Sequence, residues 1–310
     1  MANKLGQLSC LENTKNVGFG GCFLDWKQIR GALLYDKPRT FSAAEIAALE
    51  TTLLADASAD AKSARMFPIH KFVAPTDNSE DVILETFDYG AKAIVRDGDI
   101  DWTFQYVDGG GCLSKALRTH NGKRWVLFYD SEFKIMGYDL RGQLSAIPLQ
   151  FFYASPFKLA TGSTTAKYMV RFVFESKYAN EESQFIKSSF DPSEIAGLQD
   201  IDIILNTWDQ DTGVANVTLQ IACGAENIYD LFSGQIVAAT FTAYDADGNV
   251  VDVESVVGVP GSEAFDITLA TADLPDDGIV TIEGVAVSVL VGQEIEGYEI
   301  GKVEVTVVGS

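Results

Sequence analysis

Few side chains in this sequence have the type and spacing that chemistry requires. Asp245-Ala-Asp-Gly-Asn249 opens like a calcium loop, in which alternate oxygen-bearing side chains converge on one cation. A helix-loop-helix calcium site starting at Asp245 needs glycine at its sixth position and glutamate at its twelfth, where Val250 and Val256 stand. The Asp-Gly pair fits a hairpin turn better, since glycine accepts the positive φ such turns need. Asp97, Asp99 and Asp101 beside Trp102 offer carboxylates near an aromatic ring, as a sugar or metal site would. A solvated turn next to one packed tryptophan is the preferred reading, because aspartates collect in turns. Carboxylate-only hydrolysis is open in principle, but no pair of acids is singled out.

Nucleophilic catalysis needs a base beside its nucleophile, usually histidine. His70 follows Phe67-Pro68-Ile69 and His120 precedes the Asn121-Gly122 turn, and neither stands in a triad context. No Gly-x-Ser-x-Gly elbow is present. Gly18-Phe-Gly-Gly21 and Gly109-Gly110-Gly111 lack the Gly-Lys-Ser/Thr ending of a phosphate loop and read as chain reversals where bulky side chains do not fit. Cys10, Cys22, Cys112 and Cys223 are widely spaced, without a CxxC pair. With two histidines, that gives no zinc spacing, and reduced thiols in an intracellularly assembled protein are expected. The sequence thus predicts no catalytic, cofactor-binding or metal-binding residues, and no enzyme.

The elements that would carry these residues are mostly strands. Residues 1–35 are glycine-punctuated and read as an extended arm. Ser42-Ala-Ala-Glu45 is a capping box, and Ile46, Leu49 and Leu53 follow at helical spacing, predicting a helix over 43–56. Runs at 81–93 and 100–107 flank Arg96-Asp97-Gly98-Asp99 and predict a long hairpin. Cys112–Leu117 could form a short helix. Trp125–Tyr129 and Phe133–Tyr138 read as a hairpin, followed by a strand at Ala146–Tyr153 and an alternating one at Tyr168–Phe174. A short helix follows Asp191-Pro192. Further strands are expected at Ile201–Leu205, Ala215–Ala222, Ile236–Tyr244, Val250–Val257, Phe265–Ala270, Ile279–Leu290 and Lys302–Val308. Seven short strands in about 100 residues is the immunoglobulin-like sandwich pattern. The fold class is therefore mainly β: a sandwich or barrel-like N-terminal domain with one flanking helix, then an immunoglobulin-like sandwich. Phe151-Phe152-Tyr153 must show something apolar to both faces of its strand, either a two-layer core or another subunit.

The 310 residues predict two domains at roughly 150 residues each, and charge places the boundary. Residues 1–190 hold 22 acids and 22 bases, whereas the last 120 hold 22 acids and one base, Lys302, so the net charge of −21 arises there. Such a segment does not grip phosphate, and its acidity serves solubility and repels neighbouring copies. Domains are expected at 36–198 and 199–310, with proteolysis between about 190 and 212 releasing two folded pieces. No apolar run is long enough for a membrane helix, and the first residues do not read as a signal peptide.

A charge-balanced β domain with a capped helix and a long irregular N-terminal segment, followed by an acidic immunoglobulin-like module, resembles the tail tube (major tail) proteins of tailed bacteriophages. The resemblance lies in architecture across the chain rather than in a short motif. It implies self-association into stacked hexameric rings around a DNA channel, neighbouring virion proteins as partners, and DNA as passing cargo. Residues 1–35 would be the inter-ring arm, 42–56 the helix and 81–107 the bridging hairpin. The implied location is the virion, assembled in host cytoplasm without membrane insertion. A phage neck, ring or head-decoration protein fits nearly as well. The rival from another class is a carbohydrate- or cell-surface-binding adhesin. Residues 210–310, with Tyr229, Tyr244 and Tyr298 and no tryptophan, equip the last domain poorly for stacking on sugars.

Overall fold

The computed structural model describes residues 27–81, 83–96, 98–106, 110–156, 168–175, 183–224, 226–275 and 277–308. The protein is mainly β and divides into two compact units. The first takes in the described residues up to Ala57 and Ala61–Ala196, the second Ser58–Asp60 and residues from Gly197 onward.

In the first unit the strands are β1 (Ile29–Tyr35), β2 (Thr40–Phe41), β3 (Met66–Ile69), β4 (Phe72–Asp77), β5 (Ile83–Thr86), β6 (Lys92–Arg96), β7 (Asp101–Tyr106), β8 (Trp125–Asp130), β9 (Lys134–Leu140), β10 (Gln143–Ser145), β11 (Ile147–Ala154), β12 (Tyr168–Phe174) and β13 (Ser183–Lys187). Its helices are α1 (Ala43–Ala47), α2 (Leu49–Ala57) and α3 (Gly110–Thr119). Eleven strands join in the order β2-β10-β9-β8-β11-β12-β7-β4, with β1 bridging β3 to β8 and β13 on β9. The join splits at β8: Phe128 and Tyr129 pair with β9, while Trp125 and Val126 pair with β11. Two sheets result, and an aromatic core of Phe72, Phe104, Phe128, Phe152, Phe172 and Phe174 fills the space between them.

The sheet through β1 and β8 is covered on both faces. Ala32, Leu34, Val126 and Phe128 enter the aromatic core, and the alternate residues Leu33, Tyr35, Leu127 and Tyr129 pack in a second core with Leu49, Leu53 and Ala57 of α2. Strands buried on both faces read as continuous apolar runs, which is why Ala32–Tyr35 and Val126–Tyr129 do not alternate. This corrects the N-terminal arm: Ile29–Tyr35 is a central strand, and residues 1–26 lie outside those described. The capping box forms as expected, with Glu45 N donating to Ser42 Oγ and Ser42 N donating to the Glu45 carboxylate. The helix breaks at Ala48 instead of running unbroken, and Thr52 Oγ1 donates to the carbonyls of Glu45 and Ala48 across the break.

The predicted long hairpin is also corrected. Asp81–Ala93 is not one strand: β5 pairs with β6 around a turn in which Phe87 N donates to Ala91 O and Gly90 has a φ of 82°. β7 belongs to the main system, between β12 and β4. Gly98 serves a close approach rather than a turn, because a Cβ there would lie 1.7 Å from Glu80 O.

The second unit has β14 (Gln199–Asp209), β15 (Val214–Ile221), β16 (Phe241–Asp245), β17 (Val250–Val251), β18 (Val253–Val259), β19 (Ala264–Leu269), β20 (Gly278–Gly284), β21 (Tyr298–Ile300) and β22 (Lys302–Val307), with short helices α4 (Tyr229–Phe232) and α5 (Val287–Gly292). One sheet is β18-β19-β15-β14-β21 and the other β17-β16-β20-β22. Lettering β14 to β20 as A, B, C, C′, D, E and F and β22 as G gives sheets ABED and C′CFG, the immunoglobulin arrangement. An aliphatic core including Ile201, Val217, Leu219, Ile267, Val280, Ile282 and Val305 holds the two sheets together. Four strand expectations change. Residues 236–240 precede β16 as a loop and a 3-10 turn, the run Val250–Val257 divides between β17 and β18 in different sheets, the run after Gly284 becomes α5, and β14 occupies 199–209, so an exposed cut belongs before Gln199.

Candidate functional site

The residues singled out for chemistry are taken up by structure. Asp245 Oδ1 accepts from the backbone of Asp247 and Asn249, and Asn249 Nδ2 donates to Oδ2. The Asn249 side chain and backbone hydrogen bonds hold the Asp245 carboxyl below its usual range. With Gly248 at a φ of 85°, this is the β16–β17 hairpin turn. Strand alternation separates Asp101 from Trp102. Trp102 packs edge-on against Phe174, ring centroids 4.8 Å apart, inside the core. Asp101 lies on the other face of the strand, buried beneath Arg171, which makes a two-pronged ion pair with it, Nε donating at 2.9 and 3.0 Å and Nη2 also bonded. Asp101 is therefore paired rather than standing in a solvated turn, and Asp97 lies outside the described residues. No cluster of three or more His, Cys, Asp or Glu suited to a metal occurs among the described residues.

Each histidine is held structurally. His70 Nε2 lies 2.8 Å from Ile195 O, which can only accept, so that nitrogen carries hydrogen and Nδ1 accepts from Tyr129 Oη at 2.5 Å. Burial lowers the His70 pKa and raises that of Tyr129, which keeps both neutral. His120 packs against Phe67, the rings tilted by 42° with centroids 3.9 Å apart, and approaches Asp36 at 3.2 Å, and burial outweighs Asp36 to lower its pKa.

Two sequence readings of glycine and cysteine are corrected or left open. Gly111 is not sterically required, since a Cβ there meets nothing within 4 Å; it lies in the first turn of α3 rather than at a chain reversal. Gly18–Gly21 and Gly109 lie outside the described residues. Cys112 and Cys223 each take part in a disulfide and are not reduced thiols, and the described residues contain no free cysteine. Cys10 and Cys22 lie outside the described residues.

What the chemistry-bearing residues do not supply, two surfaces of the first unit do. The β5–β6 ribbon forms a sheet of its own, 83–96, with no strand partner among the described residues. Leu84 stands opposite Ile94, at 48% and 67% exposure, and at the tip Phe87 and Tyr89 stack with ring centroids 5.6 Å apart. Tyr89 is 80% exposed. A two-stranded ribbon is marginally stable in water, and an apolar pair and a stacked aromatic pair on it mark a contact surface. Sequence reasoning placed a hairpin here but missed these residues, because the turn was sought at Asp97-Gly98. The usable signal was Asp88-Tyr89-Gly90, a turn sequence between two runs.

The second surface is the outer face of β11, β12 and β7. Phe152 points into the core, whereas Phe151 and Tyr153 are 38% and 43% exposed. The triplet thus has one buried and one open face. The Arg171 guanidinium lies 5.9 Å from the Phe151 ring centre. Asn78, Thr103, Tyr153, Ser155, Met169 and Arg171 line an open cleft of about 400 Å³ on this face. Neither surface pairs a nucleophile with a base; both can bind by apolar and aromatic contact. Compared with protein-family models and with curated proteins, the chain matches none.

Proposed function

We propose that this chain is a non-enzymatic structural protein that self-assembles into rings, a virion component resembling the tail tube subunits of tailed bacteriophages. The ribbon at 83–96 carries the reading: a two-stranded element that displays Leu84, Phe87, Tyr89 and Ile94 without a core of its own gains stability by docking on another subunit. Closed rings of identical chains bury such a patch against a different patch on the next copy. The open face around Phe151 and Tyr153 supplies a second apolar surface. In stacked rings, residues 1–26 would serve as the inter-ring arm, and the channel would pass DNA without gripping phosphate.

Negative-stain electron microscopy with light-scattering mass tests this. Rings or tubes built from 33.6 kDa subunits are expected, and the double substitution Y89S/I94S is expected to disperse them while circular dichroism stays unchanged. A strict monomer at all concentrations, or rings indifferent to both substitutions, overturns the reading. Deleting residues 1–26, which stops short of β1, is expected to prevent stacking and leave single rings.

A second reading, a carbohydrate-binding adhesin, rests on the cleft beside Tyr153 and Arg171, which sets an exposed aromatic ring among hydroxyl, amide and guanidinium groups. Retention on immobilised glycans that is lost in Tyr153→Ala would favour it over assembly.

A further inference from the structure

An edge strand leaves backbone donors and acceptors free for a partner, and natural proteins blunt such edges with short strands, proline, charge or bulges. Nearly every edge of the two main strand systems is blunted among the described residues. β2 and β17 are two residues long and β21 three. β3 carries Pro68 and β4 carries Pro75 next to a register shift. β13 ends in Lys187, and β22 displays Lys302 and Glu304. The part of β14 beyond β21 carries Asp202 and Asp209 and a shift near Asn206.

β18 differs. It is seven residues long, Val-Glu-Ser-Val-Val-Gly-Val, and among the described residues pairs with β19 alone. The register shift confines Glu254 to a bulge, so Ser255–Val259 forms a regular, uncharged edge. Val257 lies 58% exposed, opposite Asp266 of β19. This apolar strip sits in the most acidic part of the chain, where 22 acids accompany one base.

We propose that β18 is an interaction edge at which two copies of the second unit pair antiparallel about a two-fold axis at Val257. That register sets Ser255 against Val259, Val256 against Gly258 and each Val257 against its mate. Nothing charged falls within the ladder, because Glu254 stays outside it at the bulge. The arrangement is isologous and self-complementary, so a second copy of this chain suffices as partner. Val257 side chains on directly opposed residues come within about 5.5 Å, close enough for apolar contact. The rest of each module repels the other, and added salt screens that repulsion, with a Debye length of about 10 Å at 0.1 M and 3 Å at 1 M. Pairing therefore strengthens with salt, the opposite of an interface built on ion pairs. The contact is independent of rings built by the first unit.

Hydrogen exchange of segment 253–259, measured by mass spectrometry on the full chain at 0.05 M and 1 M sodium chloride, tests the proposal. At 1 M salt the wild-type amides are expected to exchange at least tenfold more slowly at high than at low protein concentration. Val257→Glu, whose carboxylate faces its own mate across the axis as well as Asp266 of β19, is expected to lose that concentration dependence. Val257→Thr should retain it. So should Val250→Glu, which adds the same charge at a more exposed site of the opposite sheet. Unchanged exchange in β15 and β19 shows that each variant is folded. Wild-type exchange of 253–259 that does not depend on protein concentration at either salt overturns the proposal, as does equal loss of that dependence in Val250→Glu. Micrographs of the same samples separate the two readings. Rings without β18 protection sink the pairing alone, and β18 protection without rings sinks the ring assembly alone.

Discussion

The two units solve the same problem, burying one face of a sheet, with different materials. The first buries aromatic rings: Phe172 is fully buried and meets Phe72, Phe104, Phe128 and Phe152 with ring centroids between 5.0 and 6.1 Å. It then covers the other face of the β1–β8 sheet with α1 and α2, and its charges balance. The second uses aliphatic residues between two sheets whose outer faces meet water, and it is strongly acidic. Ile203, Val217 and Ile282 are buried while their strand neighbours are not. A strand with one wet face has to alternate, whereas one covered on both faces loses that signature.

The sharpest way to break the comparison is to empty each core in turn. Phe172→Ala is expected to cost about 3–5 kcal/mol and Ile282→Ala about 2–5 kcal/mol. Calorimetry should show each lowering one transition and sparing the other, and proteolysis just before Gln199 should release both pieces once the disulfides are reduced, since every possible partner of Cys223 precedes the cut. A single transition shifted equally by both substitutions would mean that the units do not unfold separately. The next effect is at the open face. Asp101 is buried and Arg171 half exposed, so Arg171→Met leaves a desolvated carboxylate without its cation. A loss of about 1–3 kcal/mol is expected in the first transition alone. Lysine at 171 should recover only part of it, since it lacks the guanidinium fork.

How much of this was legible follows from the same contrast. In the second unit, the apolar runs at Ala215–Ala222 and Phe265–Ala270 lay within one residue of β15 and β19, and the charge step lay near the division between units. In the first, Ala32–Tyr35 was hidden because both faces are buried, so a central strand read as the end of an arm. The helix was legible through local chemistry, Ser42 with Glu45. Its break at Ala48 was not, because Thr52 bonding back to Glu45 O and Ala48 O leaves no composition signal. The candidate surfaces were half legible. Phe151-Phe152-Tyr153 announced a face needing cover, but only the placement of Phe152 in the core shows which side is open. Register decides that β18 is an unprotected edge, and register comes from pairing partners distant in sequence.

A smaller effect checks the local signal. Ser42→Ala removes one side of the capping box and should cost about 1 kcal/mol. The Glu45 carboxyl is held down to about 2, first by the Ser42 backbone hydrogen bond. A depressed carboxyl contributes stability that is complete above its unfolded pKa and lost as pH falls toward the folded one. In the first transition, Glu45→Gln should therefore flatten the acid dependence between about pH 4.5 and 2. Glu45 is partly exposed and solvent-screened, so the change is expected below about 1 kcal/mol.

The last difference needs no substitution. Both histidines lie in the first unit, and burial lowers the pKa of each. Around His70 stand Tyr129, Lys71 and Asp191, and around His120 stand Asp36, Arg124 and the Phe67 ring. A base whose folded pKa is depressed binds fewer protons folded than unfolded, so stability rises with pH across that interval. As pH falls through about 6.5 the unfolded chain takes up protons that the folded first unit refuses. The first transition should then move down between pH 7.5 and 5.5 while the second, with no histidine, stays level. H70Q/H120Q should remove the slope, because glutamine does not titrate. A second transition that falls in parallel would mean that carboxylate titration governs both units in this range.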